Sequence, residues 1–526
     1  MKTIGQILKM SKEEVSPIVA ELIDYIKQQG DLIQKLKDEV AELKGQKAKP
    51  KIKPSNLDKK TNKRKKNSQS KKRPGSQKRS KTKQLEIHED KIIQPEFIPE
   101  GSEFKGYQDF IVQDFVIGSW NIRYRKARYR TPSGDYVMGK ISNEMSNSHF
   151  GTTLIAFILY QYYHAHVTQP LILEQLREYG VNISKGQISR ILIENKDRYH
   201  EEKAMILSTG LKCSGHINVD DTGARHNGKN GYCTHIGNEF FAWFKSTESK
   251  SRINFLQLLQ GRKNDYVIND TAIEYMKQQR FPQYQLKKLS HRVFTSQRKW
   301  KSFLFQNHIR KKHHKRIVTE AALLGSLIHH GWNRDLAIIS DDAGQFNILI
   351  HALCWVHAER TIQKLIGFTQ DRKELIKSVR SDIWDLYSDL KDYRLNPTSN
   401  FKIKLNKRFD VIFKQKTGYA SLDLALKRIF KNKSELLLVL ERPDIPLHNN
   451  LSEGDIREYV KKRKISGSTR SPSGRTCRDT FTSIKKTCRK LGVSFWAYLI
   501  DRIENRKQIP LLPDLMKMKM KGQLSI

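Results

Sequence analysis

Apolar residues recur every seven positions near the N-terminus. Val19, Ile26, Ile33 and Val40 form one row, and Leu22, Gln29, Leu36 and Leu43 follow three places behind each. β-Branched residues at one heptad position and mostly Leu at the other suit a parallel two-stranded coiled coil over 1–43, because those shapes fill the holes of a dimer. Pro17 marks the start of the helix. A single amphipathic helix laid against the body of the protein would show the same stripe. From Lys44 to Lys83 the periodicity disappears: 18 Lys or Arg stand against one acid, Asp58, among scattered Pro, Ser and Asn. Such a segment cannot bury a core and reads as a disordered basic linker over 44–84.

Residues 85–146 mix short apolar runs with turns and a basic alternation, 120-WNIRYRKARYR-130, which predicts a small strand-rich module. A helical block follows over 147–210. Within it, 170-PLILEQLREYGVNISKGQISRILIEN-195 reads as a helix, a turn at Gly180, an N-cap at Ser184 and a second helix. That is helix-turn-helix spacing, with Lys185, Gln187 and Arg190 on the recognition helix. Any two short packed helices can imitate it. The period then changes to two: 216–245 predicts three antiparallel strands, ending around Asp220 to Arg225, at Tyr232 to Ile236 and at Phe240 to Lys245. A helix-like stretch, Lys250 to Gln260, comes next, and 336-LAIISDD-342 is a further short apolar strand. A meander, a helix and a strand that returns beside the first is the order of a ribonuclease-H-like core. The fold class expected is therefore multidomain α+β, with coiled coil, helix-turn-helix and a ribonuclease-H-like α/β catalytic core carrying helical insertions.

Composition changes what the two aspartate pairs are expected to meet. The chain has 97 Lys and Arg against 55 Asp and Glu, a net charge of +42 over 526 residues. A polyanion is the natural partner, and the linker neutralises phosphates without reading sequence. No apolar run approaches the roughly 20 residues that span a bilayer, and the first 28 residues lack a signal-peptide core, so a cytoplasmic, nucleoid-associated protein without a membrane partner is expected. The five cysteines form no CxxC pair, which points to reduced thiols.

Carboxylates gathered at two strand ends repel one another unless a cation sits between them, and hard oxygen ligands suit Mg²⁺ or Mn²⁺. A third acid is offered by 446-PLHNNLSEGDIREYVKKRKISGSTRSPSGR-475, where Glu453 opens a helix ringed with basic residues.

These residues carry a resemblance. The segment Asn449-Asn450-Leu-Ser-Glu453-Gly-Asp-Ile-Arg457, then Arg463-Lys464 and Gly467-Ser468, and finally 480-TFTSIKKTCRKLGVSFWAYLIDRI-503, resembles the C-terminal signature of the insertion sequence 66 family of DDE transposases. Val219-Asp220-Asp221-Thr222-Gly223 is similar to the family's first-acid motif, usually Asp-Glu-Thr. Ser340-Asp341-Asp342-Ala343-Gly344-Gln345-Phe346, with Leu353-Cys354-Trp355-Val356-His357-Ala358-Glu359-Arg360 after it, resembles the second-acid block. The resemblance implies a metal-dependent DNA transposase. Asp220, Asp341 and Glu453 are then the catalytic and Mg²⁺-binding (or Mn²⁺-binding) acids, and Asp221 and Asp342 are neighbours that orient or cap. Its partners are the element's terminal repeats, target DNA, a second copy through the coiled coil and possible accessory proteins of the same element. Asn449, Asn450, Arg457, Arg463 and Lys464 join Lys185, Gln187 and Arg190 as expected DNA contacts. A DNA-binding regulator with an inactive core and a nuclease that cuts without joining are the competing readings.

Several features depart from the family pattern. Residues 85–146 contain no cysteine, which excludes the cysteine-ligated zinc module found in many members. Residues 261–335 read as a basic, helix-like insertion matching no motif, either a DNA clamp or a solvated arm. A second helical insertion, about 361–445, separates the last two acids, and 506–526 reads as a tail after a catalytic domain over 211–505. Cys354 and His357 are read as packing or orienting residues, and His313-His314 as surface or phosphate-contacting.

Overall fold

The computed structural model describes residues 149–522 without a break, together with 117–130, 132–133, 135–138 and scattered earlier positions. The coiled coil and linker expected over 1–84 lie outside the described residues, apart from Gln28, Gln29, Leu32, Ile33 and Leu36, which are helical. Among the described residues no helix is long and apolar enough to cross a membrane. The chain is a mixed α and β protein. In the region expected to be strand-rich, β1 (Arg128–Arg130) and β2 (Tyr136–Met138) pair as an antiparallel hairpin.

The central sheet has β3 (His216–His226), β4 (Lys229–Gly237) and β5 (Ala242–Thr247) as an antiparallel meander. Asn227 and Gly228 turn β3 into β4 with φ of 48° and 74°, the positive pair that a two-residue hairpin demands and that Asn-Gly supplies. A two-stranded sheet, β6 (Tyr266–Ile268) with β7 (Arg292–Phe294), follows in the chain. Then β8 (Ala337–Ser340) joins β3 in parallel, and β9 (Ile350–Leu353) joins β8 in parallel. The order across the sheet is β5-β4-β3-β8-β9.

Alternation along the strands divides the core between the two faces of the sheet. Ile217, Val219, Ile236 and Ile338 enter one hydrophobic cluster with the helices Asp197–Cys213, Lys312–His329 and Pro472–Leu491. Ala337, Ile339 and Leu353 enter another, with Leu386, Phe409 and Leu426 of the helical segment 370–436. The exposed edge of β5 is closed by a helix rather than left open to pairing. The backbone N–H groups of Ala242, Phe244 and Ser246 donate to Thr487 Oγ1, Ser483 Oγ and Asp479 Oδ2 at 3.2, 2.9 and 2.7 Å. Four helical residues advance about 6 Å and two strand residues about 6.7 Å, so one helical row keeps step with one strand edge.

Three expectations change here. The segment 261–335 is not an appended arm, because Ile317, Val318, Leu323 and Leu327 of helix Lys312–His329 are buried in the main core. Only its outer face, with Arg298, Lys299, Lys301 and Arg310 exposed, has the solvated basic character the sequence suggested. The supposed tail 506–526 contains the helix Leu512–Met520, whose Leu512 and Met516 are buried and whose Leu512 N–H donates to Glu202 Oε1 at 2.9 Å. The helices of 147–210 also share the main cluster with the sheet through Ile188, Leu192 and Ile206, so in the structure they are continuous with the body that carries the acids.

Candidate active site

The parallel register of β3 and β8 brings the first two acids together. Asn218 stands opposite Ile339, and the chains continue side by side, so Asp220, two residues on, meets Asp341, also two residues on. Glu453 reaches them from the first turn of the helix Asn450–Ser466. Burial pushes the Asp220 carboxyl well above the usual range, and the charges of Asp341, Asp221 and Glu453 push the same way. Asp341 is raised as well, first by burial and then by Asp221 and Glu453, against a bond from the Ala343 N–H.

Within the first pair the two aspartates differ. Asp221 accepts from Thr234 Oγ1 at 2.5 Å and Gln345 Nε2 at 3.0 Å. Asp220 accepts from the Asp221 N–H at 2.7 Å. Asp221 is therefore tied into the sheet and the 341–346 loop, while Asp220 faces the other acids. Asp342 stands 3.5 Å from Asn432 Nδ2.

The helix that carries Glu453 is aimed by a buried clamp. Asn449, fully buried, accepts from Asn218 Nδ2 and donates through its own Nδ2 to the Val219 carbonyl, both at 2.9 Å. Its backbone N–H donates to Cys354 Sγ at 3.2 Å. With its amide spent on β3, Asn449 makes no side-chain cap on its own helix. The DNA contact expected of Asn449 is thus replaced by a positioning role, since no surface of the residue is left for a phosphate. One turn on, Ser452 Oγ lies 2.6 Å from His235 Nδ1, and His235 stands opposite Asp220 on β4. Sequence reasoning missed His235 and Asn218. Asn218 could have been found by its period-two spacing from Asp220, whereas His235 gave no signal before the strand register was known.

His357 and Arg360 surround Glu453 on its other side. His357 Nε2 and Arg360 Nη1 lie 3.4 and 3.6 Å from Glu453 Oε1, an oxygen that is buried and accepts no hydrogen bond. Burial, with Arg360 and Lys364, pulls His357 down to about 4, so its ring is neutral near pH 7. Burial pushes the Cys354 thiol up to about 11, which keeps it a protonated packing group. Of the His313-His314 pair, His314 packs edge-on to Phe281 with ring centroids 5.3 Å apart.

Hard carboxylate oxygens and an orphaned Glu453 oxygen fit a small divalent cation in donor chemistry. Among the described residues, however, no three His, Cys, Asp or Glu side chains are gathered closely enough to hold a metal ion as they stand. Mutual repulsion and the pull of Arg360 on Glu453 account for that spread.

The other expected residues fall into two groups. Asn450, Arg457 and Lys464 are exposed on the helix after Glu453, while Arg463 is half-buried and donates to the Gly223 carbonyl on β3. Near the N-terminal end of the ordered body, helix Gln169–Glu178, Gly180 at φ 76° and helix Lys185–Ile193 stand as the sequence predicts. Ser184 Oγ caps the Gln187 N–H at 3.2 Å. Lys185 and Arg190 are exposed and Gln187 is half-buried.

A sheet that converges two aspartates and a helix that presents a glutamate beside them define a protein with an acid-lined site in a basic frame. The Transposase IS66 family model matches residues 270–476. A protein of Sinorhizobium fredii (strain NBRC 101917 / NGR234), "Uncharacterized protein y4jO", is 46% identical over 303 residues, 57% of this chain and 94% of that protein. The chain belongs to the IS66 transposase family. The family match begins at 270, so most of the segment that resembled no motif lies inside the matched region.

Proposed function

We propose that this chain cuts the ends of a mobile element and joins them to target DNA, using Asp220, Asp341 and Glu453 as its acids. The observation that carries the reading is the parallel pairing of β3 with β8, which brings two strand-end aspartates side by side beneath Glu453. The sheet order, an antiparallel meander with two parallel strands added beside the first, matches the ribonuclease-H-like core expected from the sequence. Mg²⁺ or Mn²⁺ held by the three carboxylates supplies charge neutralisation at the phosphate and activation of the attacking oxygen.

The protein's own contribution is placement. Asn449 and His235 fix the Glu453 helix against β3, and Asp221 holds the 341–346 loop through Gln345. Arg457 and Lys464, exposed on the helix beyond Glu453, contact the DNA backbone. The helix pair 169–193 reads the element ends through Lys185, Gln187 and Arg190, the N-terminal heptads dimerise the chain, and the protein works in the cytosol on nucleoid DNA. Hydrolysis exposes a 3′-hydroxyl, which then attacks a target phosphate in line, so a new phosphodiester bond forms as a target one breaks.

The test is strand cleavage and joining on a labelled end fragment with Mg²⁺, Mn²⁺ or chelator. Alanine at any one of the three acids abolishes both reactions and leaves gel-shift affinity unchanged or slightly tighter, since a repulsive charge is gone. Metal-dependent cleavage surviving in all three variants would sink the mechanism. Products that are cut but never joined would leave a nuclease.

A further inference from the structure

Beside the three acids lies a cavity of about 120 Å³ that the mechanism above does not use. It opens between the segment after β9 and helix Ala420–Lys431. Its volume is of the order of the ~150 Å³ apolar cavity that admits a benzene ring. Leu365, Leu424, Ile429 and Leu436 make its walls apolar, while Asp342, His357 and Asn432 bring polar groups to the lining.

The polar groups are complementary. A guanidinium can only donate, so the 3.2 Å contact from Arg360 Nη1 makes His357 Nε2 an acceptor and leaves the ring proton on Nδ1. That Nδ1 is buried and has no hydrogen-bond partner. Asp342 contributes carboxylate oxygens, which only accept. Apolar walls around one ring, with a donor and an acceptor beside them, suit a flat heterocycle carrying both kinds of group on its edge.

We propose that this cavity receives a single nucleobase turned out of the duplex next to the phosphate being cut. The inference rests on the reading of Asp220, Asp341 and Glu453 as the cutting site, because position links the two. Asp342 follows Asp341 in the chain, and His357 is 3.4 Å from Glu453, so a strand whose phosphate reaches the acids has a neighbouring base at the cavity. Turning out one base loses its stacking and pairing, and contacts in an apolar slot replace them. The device also tells a distorted end from ordinary duplex, in which every base is paired.

The experiment uses the full chain and a duplex of the element end with 2-aminopurine placed in turn at each position flanking the cut. Binding raises the fluorescence severalfold at one position next to the cut. Leu424→Trp, which fills the cavity, removes that rise while gel-shift affinity stays within about twofold. Should the tryptophan variant lose its fold, Ala358→Leu narrows the same space with a smaller change and gives the same reading. A rise that persists in a folded, cavity-filled variant overturns the proposal, as does the absence of a rise at every position with wild-type protein whose cleavage depends on Asp220. Cleavage retained in Asp220→Ala overturns the reading of the acids and the cavity's role together, so the two failures are distinguishable.

Discussion

The helix Asn450–Ser466 carries acids of two opposite kinds. Glu453 faces Asp220 and Asp341, where burial and like charges push the aspartates up and one Glu453 oxygen has no hydrogen bond. Two and five residues on, Asp455 and Glu458 are as well paired as acids can be. Asp455 meets Lys486, Lys490 and His235 at 2.9, 2.7 and 3.2 Å, and Glu458 meets Lys485 and His166, both at 2.6 Å. Burial works against the charge of Asp455, yet His235 and the two lysines hold its carboxyl well below the usual range; the His166 bond does most to lower Glu458. One helix thus carries a stabilising acid face and a destabilised one. Acids kept close without counter-charges cost stability, and such cost concentrates where a ligand will repay it.

Breaking each face should have a different signature. The largest effect is on reaction rate. Asp220→Ala, Asp341→Ala or Glu453→Ala should cut cleavage on the order of 10²–10³-fold or more, the scale on which one charge-stabilising group acts, with little loss of stability in a denaturant titration. Asp221→Ala should be milder, because Asp221 is occupied by Thr234 and Gln345. If Asp221→Ala proves the more damaging, the assignment within the pair reverses.

Next comes Asp455→Ala, which strands Lys486 and Lys490 beside a buried histidine. A loss of roughly 3–5 kcal/mol is expected from removing one partner of a buried pair, read as a lower urea midpoint. A loss under about 1 kcal/mol would mean that this face does not support the helix. Asn449→Ala sits between the two behaviours. It leaves Asn218 Nδ2 and the Val219 carbonyl unmatched, at a cost of about 1–3 kcal/mol, and lowers cleavage about 10–100-fold by loosening Glu453, as removal of an orienting neighbour does. Full activity in a destabilised Asn449→Ala protein would reduce the clamp to a packing feature.

The smallest effect concerns pH. The folded Asp220 carboxyl is raised above its unfolded value, so the fold holds its proton longer than the unfolded chain does. Its contribution to stability is complete below the unfolded range, near ~3.9, and is lost as pH rises through the folded value. Asp220→Asn removes that loss. Without divalent cations, the variant should melt at a higher temperature than wild type near pH 7, and the difference should vanish below about pH 4. A lower melting temperature near pH 7 would show that Asp220 is not repelled.

Much of this was legible in the chain, for identifiable reasons. Period-two alternation and the Asn227-Gly228 turn marked the meander, and Gly180 and Ser184 marked the turn and cap of the 169–193 helices, because these signals act through neighbours in sequence. The acids were visible as pairs at strand ends. Three things were not legible. Strand β9 is only four residues long, too short for a period to establish itself. Helix Leu512–Met520 looked like a tail because its burial depends on Glu202, more than 300 residues away. Asn449 looked like a DNA contact because an exposed-type residue beside Asn450 and a basic helix gives no sign of facing inward.

By itself the sequence determined the meander, the basic frame, the three acids and the local starts and stops of the helices around them, since each depends on side-chain periodicity, turn chemistry or charge within a few residues. Only the tertiary structure decided which aspartate of the first pair faces the others, that Asn449 clamps β3, that His235 reaches Ser452, and that the segment after 261 belongs to the core. Those outcomes depend on strand register and on contacts between residues tens to hundreds of positions apart, and no local pattern encodes either.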